Sequence, residues 1–350
     1  MPQLDQLSQQ LDRLAAFEPG PFPVVSLYLN LQADGRGKAN VDPFLKKEFA
    51  ERLRTYGAEA PERGSLENDR QKIVELVDSR SASANGLVVF SSSGADLFEA
   101  IQLSAPIDEH KLFINDRPHL YPLAKLMDQY PRYLVLLADT HSARIFVIAV
   151  NAVERTERIE NPKTKHHKMG GWSQARYQRR TENYHLHHAK EVADAVARIV
   201  RNEALDRIIV RGEETILPLL RDQFPKEVSD RVVDTVRLEL QASEKEVLET
   251  TIAALHQKDA ETDRERVDEL LNLYRGSGLA CVGIERTKPA FTLGQVDELL
   301  ISGMPKAFDE AAADELVAQA RNTSARIRVV EDASMLGSVG DVGAFLRFKV

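Results

Sequence analysis

The sequence predicts a protein of the α/β class that folds as more than one domain. The chain has 350 residues, which is enough for two or three domains of ordinary size. Short apolar runs rich in β-branched residues, such as Gly86–Ser91, predict buried strands. Segments with helical periodicity, such as Phe44–Tyr56, lie between these runs. Strands that alternate with helices pack in layers, and we expect that arrangement here.

Composition and charge are typical of a globular protein. Hydrophobic residues make up 43% of the chain and charged residues 29%, and the formal net charge is −8. An acidic total argues against non-specific coating of nucleic acid but allows a local basic patch. The single cysteine, Cys281, excludes an intrachain disulfide and fits a reducing cytoplasm. No apolar run approaches the ~20 residues that span a bilayer, so we expect a cytoplasmic protein without membrane contact.

The first predicted domain covers residues 1–130. Its leucines at positions 4, 7, 11 and 14 share one face of a helix. Further helices are predicted at Phe44–Tyr56 and Gln71–Ser79. Strands are predicted at Val24–Leu31, Gly86–Ser91 and Leu97–Leu103. The segment 106–131 is predicted to be loop-rich and to end the domain.

The middle predicted domain covers residues 131–231. It opens with a hairpin signal, a strand at Tyr133–Ala138 and another at Arg144–Val150, followed by a third strand at Ala152–Arg158. A polar stretch leads to a long amphipathic helix that ends near Asn202. A strand at Arg207–Val210 and a helix that ends near Phe224 complete the unit.

The third predicted domain covers residues 232–350 and is expected to be an α/β sandwich. Val232–Leu240 is predicted as its first strand, and 243–274 as a charged helical stretch broken around 259–263. The remaining predictions are strands at Ala280–Ile284, Arg326–Val330 and Ala344–Lys349, helices at Leu293–Leu299 and Asp309–Asn322, and a strand start at Leu300–Ile301.

The segment Asn161–Lys190 differs from the rest of the chain. It holds seven Lys or Arg residues against one Glu, a net charge of +6, and five of the nine histidines. Such asymmetry indicates a phosphate-rich partner. Gly170 and Gly171 allow a backbone to approach a ligand closely, and the free N–H groups of the helix that follows would face the same place.

Three other interpretations of this segment remain open. It could be a solvated basic loop and helix start. His185 and His188 lie three residues apart on a helix, which is half of a metal site, but no acidic or cysteine motif completes it. Ser173 near several histidines could be a nucleophile, although such proximity is common by chance. We therefore expect no metal and no cofactor.

The run His166–Arg180 (HHKMGGWSQARYQRR) resembles the loop and helix that carry the Gly-Gly-Gln motif of archaeal and eukaryotic class-1 release factors. Gly170 and Gly171 match the glycines, Ser173 the serine and Arg176–Tyr177 an Arg-aromatic pair. The resemblance implies a segment that binds RNA in the ribosomal tRNA site. The residues it assigns to RNA binding are His166, His167, Lys168, Gly170, Gly171, Trp172, Ser173, Gln174, Arg176, Arg179 and Arg180.

The resemblance extends to other parts of the chain. Gly86–Phe90 is similar to a strand of the family's first domain, and Leu293–Ile301 and Gly343–Phe348 are similar to its third domain. These matches imply a three-domain release-factor-like architecture with a ribosomal-protein-like (L7Ae-like) C-terminal domain. The likeness is greatest to the bacterial branch that includes Balon-type ribosome hibernation factors. It implies the ribosome, with its rRNA and peptidyl-transferase centre, as partner, and a translational GTPase such as elongation factor Tu.

Two departures from the family pattern bear on function. Trp172 stands where the family has its glutamine, so the amide that positions water at the peptidyl-tRNA ester is lost. The first domain lacks an Asn-Ile-Lys-Ser motif, so no reading of stop codons is expected. The sequence favours binding to the A site in hibernation or at stalled ribosomes. The first alternative is a peptidyl-tRNA hydrolase for ribosome rescue that uses the Gly170–Gln174 loop, with Gln174 as the candidate catalytic residue. The alternative ranked last is an RNA-binding or nuclease module unrelated to ribosomes.

Overall fold

The computed structural model describes residues 3–32, 41–79, 84–161, 174–235 and 238–349. The chain divides into two compact units. Unit 1 combines residues 1–129 with residues 262–350, and unit 2 consists of residues 130–261. Within the described ranges, unit 1 has two sheets and unit 2 has one, each with helices, so the predicted α/β class is confirmed.

The N-terminal part of unit 1 is a four-stranded antiparallel sheet with helices. In chain order its elements are α1 (Gln3–Ala15), β1 (Val24–Asn30), α2 (Val41–Leu53), α3 (Pro61–Asp78), β2 (Gly86–Ser92), β3 (Leu97–Leu103), β4 (Lys111–Asn115) and α4 (Tyr121–Gln129). The strand order is β3-β2-β1-β4. Alternate residues of β1, among them Leu27 and Leu29, pack with Phe49 of α2 and Ile73 of α3 in one core.

The prediction of a loop over residues 106–131 is wrong, because β4 and α4 lie there. Strand β4 has five residues and buries only Leu112, so its apolar signal is weak. Its backbone pairs with β1, which is a long-range contact that local sequence does not reveal. Helix α3 also begins earlier than predicted, at Pro61, where proline suits the first turn of a helix.

Unit 2 contains a five-stranded mixed sheet. Its elements are β5 (Tyr133–Ala138), β6 (Ser142–Ala149), β7 (Ala152–Glu160), α5 (Gln174–Glu203), β8 (Ile208–Gly212), α6 (Ile216–Gln223), α7 (Lys226–Ser229) and β9 (Val232–Thr235). The strand order is β7-β6-β5-β8-β9, with β8 parallel to both of its neighbours and the other pairs antiparallel. The predicted hairpin and long helix are confirmed.

Strand β9 corrects the interpretation of Val232–Leu240 as the first strand of the third domain. It pairs with β8 and forms the edge of the sheet in unit 2. An alternating apolar pattern shows that a segment is a strand but does not say which sheet it joins. The three ranges 1–130, 131–231 and 232–350 remain a proposal, and β9 argues for a later second boundary.

Helix α8 (Glu244–Arg275) is continuous, so the predicted break around 259–263 is wrong. The polar residues there are held by ion pairs. Asp259 accepts from Arg207 at 2.7 Å within unit 2, and Asp263 accepts from Arg328 at 2.9 Å within unit 1. Residues 259–263 include no glycine or proline, the residues that most often break a helix. Charged side chains that form ion pairs are compatible with a continuous helix. No helix among the described residues has the length and apolarity needed to cross a membrane.

The C-terminal part of unit 1 is a second four-stranded sheet. Its elements are β10 (Ala280–Val282), α9 (Ile284–Thr292), β11 (Val296–Ser302), α10 (Glu310–Asn322), β12 (Arg326–Val330), α11 (Ala333–Gly337) and β13 (Val342–Leu346). The strand order is β10-β13-β11-β12, in which only the β11–β12 pair is parallel.

The predicted helix at Leu293–Leu299 is wrong. Gly294, with a φ of +66°, follows the end of α9, and the chain then enters β11 at Val296. A short apolar run fits a buried strand as well as a helix, and sequence periodicity does not separate the two. The successive residues Leu299, Leu300 and Ile301 of β11 are all buried, so both faces of the strand are covered there, which explains the short apolar run.

Asp314 of α10 makes a buried contact with the start of α4 in unit 1. Its Oδ1 accepts from the backbone N–H groups of Leu120 at 2.8 Å and Tyr121 at 2.9 Å, and its Oδ2 contacts Nδ1 of His119. The hydroxyl of Tyr121 donates to the carbonyl of Ser302 at 2.6 Å. These bonds satisfy the first N–H groups of α4 with residues from the last third of the chain.

We expect Asp314→Ala to lower the free energy of local opening at α4 by about 3 kcal/mol, because buried N–H groups lose their acceptor. Hydrogen exchange at Leu120 and Tyr121 measures this opening. Asp314→Asn keeps an acceptor oxygen and should lose less. Glu310→Ala changes an exposed acid on the same helix and is the matched control. Equal protection in all three variants would contradict the assignment.

Candidate nucleic-acid interface

Helix α5 is the crossover between β7 and β8 and carries the end of the predicted interface. Its second half packs on one face of the sheet. Val192, Val196 and Ile199 are buried there with Leu134 and Leu136 of β5. Their helical spacing is the amphipathic pattern seen in the sequence, so the sheet fixes this half of the helix.

One section of α5, residues 179–187, is not packed in a core. In the stretch 179–187 every side chain is exposed or half-buried, and the first fully buried side chain after it is His188. Arg179 and Arg180 are exposed. The helix therefore presents basic side chains on a section that no core requires, which is the arrangement expected of a binding surface.

The structure locates only part of the predicted site. Gln174 is the first residue of α5 and Arg176 lies in its first turn, followed by Arg179 and Arg180 on the exposed section. The other predicted residues lie outside the described residues, and they are His166, His167, Lys168, Gly170, Gly171, Trp172 and Ser173. Their role in RNA binding remains a prediction.

A tight turn between β5 and β6 positions a further histidine beside α5. Oδ1 of Asp139 accepts from the backbone N–H groups of His141 at 2.7 Å and Ser142 at 2.6 Å. The His141 ring then lies 5.8 Å from the ring of Tyr184 and 5.8 Å from that of His185. Sequence reasoning found this turn but missed His141, because nothing local shows that the turn faces α5.

The two histidines considered as half of a metal site have different surroundings. Burial lowers the pKa of His185 below its ordinary value, and the nearby His141 adds to that shift. His188 is 1% exposed, and burial also lowers its pKa. In the described part of the chain, no group of three or more His, Cys, Asp or Glu side chains could hold a metal ion.

Asn161, the residue after β7, forms hydrogen bonds with both the β5–β6 turn and helix α5. Its backbone N–H donates to the carbonyl of His141 at 2.8 Å. Its side-chain Nδ2 lies 2.7 Å from Nδ1 of His188 and 3.0 Å from a carboxylate oxygen of Glu191. The end of β7 is thereby fixed against α5 at the boundary between the exposed and buried sections of the helix.

The C-terminal end of α5 is held by charge. Arg132 donates to Glu154 of β7 at 3.0 Å and to Glu203 of α5 at 2.6 Å, and its side chain is 10% exposed. Arg155 also donates to Glu203, at 3.0 Å. Apolar packing and ion pairs thus hold the second half of α5, and the section 179–187 is left available to a partner.

The segment that contains this site is similar to known release factors. Residues 118–256 match the model of bacterial archaeo-eukaryotic release factor family 10. The chain is 24% identical over 250 residues to peptide chain release factor subunit 1 of Methanopyrus kandleri, covering 66% of this chain and 60% of that protein. It is 23% identical over 375 residues to the same factor of Aeropyrum pernix, covering 99% and 95%.

Among solved structures, a model of ribosome-bound archaeal Pelota and ABCE1 is similar with a TM-score of 0.46 and 15% identity, covering 99% of this chain and 94% of that one. These sequence matches support assignment of the chain to the archaeo-eukaryotic release-factor-like superfamily. Its segment 118–256, which holds β5 to β9 and α5, is the part that matches the bacterial family 10. The resemblance seen at His166–Arg180 is confirmed at this level.

We expect Asp139→Ala to lower the free energy of opening of the β5–β6 turn by about 1–2 kcal/mol, because two backbone N–H groups lose their acceptor. Hydrogen exchange at His141 and Ser142 measures the change. Asp139→Asn retains an acceptor oxygen and should keep most of the protection. Asp206→Ala removes an exposed acid from another turn of unit 2 and should leave exchange at this turn unaltered.

Proposed function

We propose that this protein binds the ribosomal A site and acts in hibernation or at stalled ribosomes, without reading stop codons. The observation that carries the proposal is the exposed section 179–187 of α5 with Arg179 and Arg180, within the segment that matches a release factor family. The proposal places the protein in the cytoplasm, with rRNA and the peptidyl-transferase centre as its contacts.

Charge distribution supports an RNA partner for this section of α5. Arg179, Arg180 and Lys190 stand on exposed positions, in a chain whose net charge is −8. Exposed guanidinium groups bind phosphate through paired N–H donors and release counterions when they do so. Because the chain as a whole is acidic, its surface repels RNA except at the basic section of α5, so RNA is attracted to that section.

The departures from the family pattern support occupation rather than catalysis. Trp172 has no amide to position water, although its ring can stack on bases or against the ribosome. Residues 33–40 of the first domain contain no Asn-Ile-Lys-Ser sequence for reading stop codons. Trp172 and residues 33–40 both lie outside the described residues.

A translational GTPase such as elongation factor Tu is the second proposed partner, and the C-terminal part of unit 1 is the part proposed to bind it. This assignment rests on the sequence resemblance of residues 280–350 to the third domain of the family.

We expect Arg179→Ala/Arg180→Ala to weaken binding to ribosomes about tenfold and to reduce the salt dependence of binding by about two phosphate contacts. Co-sedimentation at several salt concentrations measures both quantities. Arg201→Ala/Arg221→Ala removes two exposed arginines from the buried half of α5 and from α6 and should leave both unaltered.

The glycine pair provides a second variant. Gly170→Ala/Gly171→Ala should reduce co-sedimentation, because a side chain at either position keeps the backbone from close approach to RNA. If the unaltered protein does not sediment with ribosomes even at low salt, the A-site proposal is wrong, and so is the hydrolase alternative.

A release assay separates occupation from hydrolysis. We expect no release of peptide from ribosome-bound peptidyl-tRNA, because Trp172 provides no amide at the glutamine position. Release that is lost in Gln174→Ala would instead establish the hydrolase alternative, with the first residue of α5 as its key group. Release that survives Gln174→Ala would contradict both a non-hydrolytic role and a role for this glutamine.

A further inference from the structure

The hydrogen bonds between Asn161 and α5 determine the protonation state of His188. Nδ2 of Asn161 lies 2.7 Å from Nδ1 of His188 and 3.0 Å from Oε2 of Glu191. A carboxylate can only accept hydrogen bonds, so the Asn161 group that faces Glu191 must be the NH₂ group. The same NH₂ group faces His188. Nδ1 of His188 must therefore accept, which is possible only when the imidazole is neutral and carries its proton on Nε2.

The surroundings of His188 disfavour a second proton. The side chain is 1% exposed, so an added positive charge there would be poorly solvated. Burial lowers the pKa of His188, and the nearby imidazole of His141 lowers it further. The Ser142 carbonyl and the carboxylates of Asp139 and Glu191 act in the opposite direction, and the shift remains downward.

Several other titratable groups surround this contact. They come from each element packed against the first half of α5. From the β5–β6 turn they are Asp139 and His141, from α5 itself Tyr184, His185 and Glu191, and from the segment after β8 Glu213. Nδ1 of His141 is buried without a partner among the described residues. Because His141 opposes protonation of both His185 and His188, a proton on one imidazole makes a proton on the next less favourable.

We propose that Asn161 and His188 form a proton-sensitive latch that fixes the end of β7 to α5. At neutral pH the Asn161 amide donates to His188, and the latch is closed. When His188 takes up a proton, Nδ1 becomes a donor and faces the amide NH₂, so the bond is lost. The new cation also faces His141. The latch opens, and the backbone bond from Asn161 to His141 loses its support.

The direction of the pH dependence follows from the lowered pKa. A free histidine takes up its proton near pH 6.5, whereas His188 in the folded chain does so at a lower pH. The contribution of the latch is therefore complete above about pH 6.5 and is lost as the pH falls through the lowered pKa. This behaviour does not depend on ribosome binding, so the latch can be tested on the isolated protein.

The test is an NMR titration of the whole chain with labelled histidine side chains. We expect His188 to carry its proton on Nε2 at pH 7.5 and to have a pKa below 6.5. The backbone N–H of Asn161 should be protected while the imidazole is neutral and should lose that protection when it is protonated. An ordinary pKa near 6.5, or a proton on Nδ1 at pH 7.5, would overturn the proposal.

Asn161→Asp provides the decisive variant, because the new carboxylate accepts where the amide donated. In this variant the pKa of His188 should rise above 6.5, so the latch should close on acidification instead of opening. Asn202→Asp adds the same charge at the far end of α5 and should leave His188 unaltered. His188→Asn keeps an acceptor and cannot titrate, so protection of the Asn161 N–H should become independent of pH in this range. A pKa of His188 that is the same in Asn161→Asp and in the unaltered chain would refute the latch.

Discussion

Burial of β5 on both faces is the constraint on which unit 2 depends. Leu134, Leu136 and Ala138 contact the core under α5, while the alternate residues Tyr133 and Val135 contact the core that includes α8. A central strand of this kind requires a helix on each side of the sheet. The crossover helix α5 must therefore lie across the sheet, and its direction decides where its exposed first half emerges.

Arginine serves two purposes in this chain. Arg132 and Arg328 have carboxylate partners that hold α5 and α8 to strands, and these side chains are largely buried. Arg179 and Arg180 stand on a helix section without a core. Because the same residue type stabilises one region and remains available in the other, composition alone gives a net acidic protein and conceals the basic surface.

The sequence was sufficient where periodicity and a local signal agreed. The strands of the β5–β6 hairpin and the long helix α5 were predicted within a few residues. The errors fall where long-range pairing decides the outcome. Strand β4 exists because β1 pairs with it, and β9 joins β8 instead of starting a new sheet. At the candidate site, the charge pattern of the sequence predicts the basic residues. The contacts of His141 and Asn161 could not be predicted, because they form only where the β5–β6 turn and the end of β7 meet α5 in the folded chain.

The division of unit 1 between the two ends of the chain has a consequence for biosynthesis. A growing polypeptide completes all of unit 2 once residue 261 has been added, while the last part of unit 1 is still unmade. His119 and Tyr121 cannot reach Asp314 and Ser302 until the final third of the chain has emerged. Unit 2 is thus synthesised in full before residues 1–129 can contact residues 262–350. During that interval the N-terminal sheet is stabilised only by its own core.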